Sequence, residues 1–181
     1  MTSAQIFILQ CAVSLVVFSL IAIWYVAPYA LRAPLRTSLP PLLLLNMRVL
    51  GLVFLVPQVV DPHLPHSFAV PAAYGDLTAA GLALISAVLL RANAPRALSL
   101  ILVWLFNIEG TVDLLNAIYQ GLATGIASYH LGAAWFIPTV YVPALLVTHA
   151  LIFVLLLSGG RARRSTQAIG EIREEPVVSR R

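Results

Sequence analysis

The sequence predicts an all-α fold, a polytopic integral membrane protein built as a five-transmembrane-helix bundle with its N-terminus outside and its C-terminus in the cytoplasm. Two observations predict it. Of 181 residues, 60% are hydrophobic and 10% charged, with a mean hydropathy of +0.93, against about 25% charged residues in a soluble domain. The second observation is an alternation of arginine. Arg32, Arg36, Arg91, Arg96, Arg161, Arg163 and Arg164 follow the first, third and fifth apolar stretches, whereas the links after the second and fourth carry none. Basic residues stay on the cytoplasmic side of a membrane, so five crossings satisfy every link.

Helix 1 is expected over residues 5–27, closed by Pro28. Its start lacks the basic n-region and the cleavage site of a signal peptide, so it is expected to stay in place. Helix 2 is expected over 42–59 behind Pro40 and Pro41, because proline suits a first turn whose backbone donors have no partners. Helix 3 is expected over 69–90, with alanines and glycines that let a neighbouring backbone approach closely. This marks it as central. Helix 4 is expected over 97–122, with Asn93 as its N-cap and Pro95 following. Helix 5 is expected over 133–157, with a kink at Pro143, whose ring clashes one turn back and leaves the Thr139 carbonyl without its donor. These five helices make one domain, 1–157. The remainder, 158–181, mixes glycine with opposite charges and is expected to be a disordered cytoplasmic tail.

The chemistry concentrates in helix 4. Glu109, Asp113, Asn116 and Gln120 recur at intervals of four, three and four, which places them on one side of a helix. A carboxylate near a bilayer centre costs about 2.5–3.5 kcal/mol even on lenient scales, so this face needs a cavity, a proton or a cation. Helix 4 rises outward and helix 3 descends, which brings Asp76 nearly level with Asp113 and puts Tyr141 of helix 5 at a similar depth. His149 is expected well toward the cytoplasm. Arg48, in helix 2, is the natural counter-charge, paired with Glu109 or Asp113. One reading makes the pair structural, fixing helix packing. The other makes Asp76, Glu109, Asp113, Asn116, Gln120 and Tyr141 a proton, cation or polar-ligand site in the outer half of the bundle.

The histidines offer two further candidates. Asp61, His63, His66 and His130 fall in the two outside links and have the nitrogen and oxygen donors of a metal site, although the flanking prolines suit a turn equally well. His149 is a candidate haem ligand, or else a hydrogen-bonding residue beside Thr148. Trp24, Tyr129 and Trp135 suit interfacial anchors. The only cysteine, Cys11, excludes an intrachain disulfide.

The expected function is a small membrane transporter, a proton- or cation-coupled carrier. One alternative is a non-enzymatic membrane binding or assembly module for a lipid, cofactor or partner helix. Another is an intramembrane lipid-modifying enzyme whose carboxylates divide the roles of acid and base. No zinc-binding HExxH, phosphate-cradling glycine loop or GxSxG elbow names a catalytic residue, and no cofactor is specified. The expected place is a bacterial cytoplasmic (inner) membrane. Expected partners are membrane lipids and, through self-association into an oligomer or a partner membrane protein, other helices. Nucleic acid is not expected, since no stripe of arginines alternates with aromatics.

Overall fold

The computed structural model describes residues 1–173, with side chains described through Ser158. The tail expected to be disordered therefore lies, past Ser158, outside the residues described in full. All regular structure among the described residues is helical. Five segments are long and apolar enough to cross a membrane: α1 (Ser3–Ala30), α2 (Leu35–Leu55), α3 (His66–Arg91), α4 (Arg96–Thr124) and α5 (Gly132–Ser158).

Segment α1 starts at a capping box: the Thr2 hydroxyl accepts from the Gln5 amide, and the Gln5 side chain accepts from the Thr2 amide. Over Ser3–Ile21 it has no buried residue. It lies against α5, where the Trp135 indole donates to Gln10 Oε1 at 2.6 Å and the Cys11 thiol donates to the Pro138 carbonyl at 3.4 Å. A π-helical turn, Ala22–Val26, precedes Pro28, and another, Ile137–Tyr141, precedes Pro143. Each widened turn contains the residue four positions before the proline, the one whose carbonyl the ring would strike. Before Pro143, where the sequence leads one to expect a kink, the helix has this π-helical turn.

Segment α2 differs from the expected helix 2. It begins at Leu35, not Leu42, so Pro40 and Pro41 lie inside the helix and not in its first turn. The α-helix stops at Leu45 because Asn46 turns its amide back, donating to the Leu42 carbonyl at 2.8 Å. After the irregular Asn46–Arg48, the segment resumes as a 3-10 helix, Val49–Leu55. Asn93 also differs: it has φ +55° and accepts from Arg36 at 2.6 Å, while Pro95 takes the N-cap position of α4.

Segment α3 lies between α2 and α4 and buries Ala69, Ala72, Ala73, Ala79, Ala80, Ala83 and Ala87 against them. Two apolar clusters form the core. One joins Leu39, Leu43, Ala83, Val103, Phe106 and Ile152, and the other Phe54, Phe68, Ala72, Ile126 and Ile137. Between these clusters lie Asn46 and Arg48 on α2, Asp76 on α3, Asn107 on α4, and Thr139 and His149 on α5, while the buried serines Ser38, Ser86 and Ser99 lie beside the first cluster. The bundle is an apolar stack with a polar layer near its mid-length.

Candidate functional site

Arg48 occupies the centre of that layer and is fully buried, at 0% exposure. The break in α2 puts it there, since Arg48 is the N-cap of the 3-10 turn and the Asn46 carbonyl accepts from its amide. One terminal nitrogen, Nη2, meets two carboxylates: it pairs with Asp76 Oδ1 and lies 2.5 Å from Asp113 Oδ2. The other, Nη1, donates to the Gly110 carbonyl at 3.1 Å. Nε has no hydrogen-bond partner among the described residues. Three helices are thus joined through one guanidinium.

Missing side chains make the room. A Cβ on Gly51 would overlap the Asp76 carboxylate, and a Cβ on Gly75 the Asp113 carboxylate. A Cβ on Gly110 would stand 2.6 Å from the His149 ring and 3.3 Å from Arg48 Nη1. His149 therefore sits beside Gly110 and Arg48, not well away from the acids as its sequence depth implies. Its Nδ1 pairs with Asn107 Oδ1 at 2.7 Å, its carbonyl accepts from the Asn107 amide at 3.1 Å, and its ring stacks on Phe106 with centroids 5.0 Å apart. The Nε2 edge lies beside Gly110 and has no hydrogen-bond partner among the described residues.

The acidic stripe does not enter the bundle as a unit. The buried face of α4 is Val103, Phe106, Asn107, Gly110, Leu114 and Gly121, and at 3.6 residues per turn the stripe centres roughly 100° away from it. Asp113 is the member nearest that face, and Gly75 admits its carboxylate. Glu109 is half-buried, with Oε2 lacking a partner among the described residues, and it does not pair with Arg48. Asn116 is exposed and Gln120 partly so. Among the described residues the Tyr141 hydroxyl makes no hydrogen bond to an acid. It lies 3.2 Å from the Leu45 carbonyl and 3.5 Å from that of Met47, both exposed by the break in α2.

The outer candidate metal site does not assemble: among the described residues no three metal-capable side chains converge. His63 and His66 are exposed. Asp61 instead shapes the link, accepting from the His63 amide at 2.8 Å and lying 3.2 Å from its Nδ1, while the Asp61 amide donates to the His130 carbonyl at 2.7 Å. The His63 amide, foremost, holds the Asp61 carboxyl below its usual pKa range.

A cavity of about 520 Å³ ends on the arginine site. Arg48 and Asp76 are at its polar end; its walls include Leu15 of α1, Phe68 of α3, Ile118 of α4 and Pro138 of α5. Segment α1 packs chiefly along α5 and on the 126–128 turn, while α4 packs chiefly on α3. Leu15 of α1 and Ile118 of α4 both line the cavity and are exposed.

A family model described as a domain of unknown function, DUF8737, matches residues 6–157. The chain belongs to the DUF8737 family. Its matched region runs from α1 through α5 and contains every residue of the arginine site and of the cavity's polar end. Comparison with curated proteins gives no match, and neither does comparison with solved structures.

Sequence reasoning missed Asn46, Asn107 and the three site glycines. Neighbours in the sequence give no signal for the glycines, because each makes room for a group on another segment: Gly51 for Asp76, Gly75 for Asp113 and Gly110 for His149.

Proposed function

We propose that the chain is a membrane binding module that takes one long-chain amphiphile sideways from the bilayer, its apolar chain along the cavity walls and its polar head at Arg48 and Asp76. The observation that carries this reading is the cavity itself. It is largely apolar, falls within the range of about 300–1,000 Å³ common for ligand pockets, and ends on a buried ion cluster. An ion path would need polar groups along its length, and these walls supply few. With the arginine-bearing links on the cytoplasmic side, the cavity occupies the outer half of the bundle.

Native mass spectrometry of the protein purified in mild detergent tests the reading. One long-chain amphiphile is expected per chain, lost in Ala117→Phe, which fills the wall, without loss of the fold. Absence of any bound molecule, or unchanged binding in that variant, rejects it. A proton- or cation-coupled carrier is the second reading, favoured by Glu109, whose buried Oε2 lacks a partner among the described residues. Flux into vesicles that Glu109→Gln abolishes would support it.

A further inference from the structure

We infer that the cavity selects a hydroxyl head: its ligand is a neutral long-chain alcohol or phenol whose O–H donates to Asp76 and whose oxygen accepts from Arg48. This rests on the amphiphile reading and goes further by fixing the chemistry of the head.

Position limits the class first. Arg48 and Asp76 lie near the mid-length of α2 and α3, and a bilayer's hydrocarbon is about 30 Å thick, so a head bound there is about 15 Å from either surface. A phosphodiester or carboxylate would have to shed its hydration to arrive. Small neutral heads travel to that depth at far lower cost.

Charge narrows it further. The single guanidinium faces two carboxylates, Asp76 and Asp113, so the cluster has no positive charge to spare for an anion. An acidic head would meet a net negative neighbourhood in a low dielectric, where like charges interact strongly.

Hydrogen bonding then distinguishes among neutral heads. Arg48 is fully buried, lines the cavity, and retains Nε–H with no acceptor among the described residues. Asp76, whose side chain is 11% exposed, lines the same end and as a carboxylate only accepts. We take Nε–H as the group Arg48 turns to the ligand, which gives the site one donor and one acceptor. A hydroxyl answers both, because it carries one O–H and two lone pairs. An ether or a ketone answers only Arg48, and an ammonium answers only Asp76. A site that hydrogen-bonds a hydroxyl discriminates strongly against an analogue lacking it, since the buried groups are then left unpaired.

Chain-matched probes test this on the whole protein in nanodiscs: farnesol, farnesyl methyl ether, farnesylamine and farnesoic acid, each titrated by native mass spectrometry. Farnesol is expected to bind at least tenfold more tightly than the ether, with the acid weakest. In Asp76→Leu, which removes the acceptor, the preference for farnesol over the ether should fall several-fold while ether binding holds and so reports an intact fold. Equal binding of alcohol and ether overturns the hydroxyl assignment and leaves the amphiphile reading standing. Tighter binding of farnesylamine also overturns it, in favour of charge. If no farnesyl compound binds, or the cavity proves to be filled by a second copy in a dimer that persists on dilution, both fall. An unchanged preference in Asp76→Leu overturns the assignment of Asp76 as the hydroxyl's acceptor.

Discussion

The Asp113 carboxylate occupies the space where a side chain on Gly75 would begin. Any Cβ at 75 must push Asp113 away from Arg48, so Gly75→Ala is expected to destabilise the fold by about 1–3 kcal/mol, the usual cost of overpacking. Gly81, on the same helix, has nothing within 4 Å of its would-be Cβ. There Gly81→Ala should be neutral or stabilising by roughly 0.5–1 kcal/mol through helix propensity. Thermal unfolding of both variants in one detergent checks the contrast, and equal effects would remove the steric account.

Arg48 is expected to couple to two acids and not to a third. Replacing it with Met leaves Asp76 and Asp113 buried without their partner, for a loss of about 3–5 kcal/mol. Adding Asp113→Asn or Asp76→Asn should recover part of that loss, and adding Glu109→Gln should not, because Glu109 makes no pair with the guanidinium. Double-mutant cycles measured by unfolding decide it; coupling to Glu109 alone would contradict the site's geometry.

Much of this was legible in the sequence, and the limits have physical causes. Hydropathy marked five apolar segments because length and apolarity are what the bilayer demands of a span. It also marked Arg48 as a buried charge in need of acids. The rotation of each helix was not legible: with apolar residues all round, as on α3, no hydrophobic stripe points to the core, and on α4 the polar stripe misled, lying on the flank of the buried face with only Asp113 turned inward. The break in α2 escaped notice because Asn46 ends the helix with its own side chain, an outcome that Asn inside a leucine-rich run does not announce. His149 was assigned a depth by residue counting, yet Asn107 and Gly110 bring it to the arginine.

The link residue Asp61 supplies a pH dependence. Its folded-state pKa is below its ordinary value of 3.8, so its contribution to ordering the link is complete above about pH 3.8 and disappears as pH falls through the lower, folded value. The His63 amide proton, followed by NMR, is expected to lose its hydrogen-bonded shift in that acidic window. In Asp61→Asn, whose amide oxygen still accepts from the His63 amide, the shift should persist. A wild-type signal unchanged at low pH would count against the turn.

Orientation is testable with Cys11 replaced by serine and single cysteines introduced. The arginine alternation predicts that an impermeant reagent reaches positions 63 and 130 from outside and positions 34 and 93 only from the cytoplasm. Labelling of 63 and 93 from the same face would mean an even number of crossings between them, and would overturn the proposed depth of the cavity.

The lack of buried residues along Ser3–Ile21 bears on how the chain is made. This segment precedes the other four in the chain, yet its polar attachments, Gln10 to Trp135 and Cys11 to Pro138, are to residues more than a hundred positions later. Inside a bilayer, lipid tails satisfy an apolar helix surface as well as protein does, so nothing draws α1 to a partner before those residues have been inserted. In a bilayer it is therefore expected to remain a tethered single helix while α2, α3 and α4 consolidate around Arg48, and to dock only once α5 is in place, so that the α1 wall of the cavity is the last to be set.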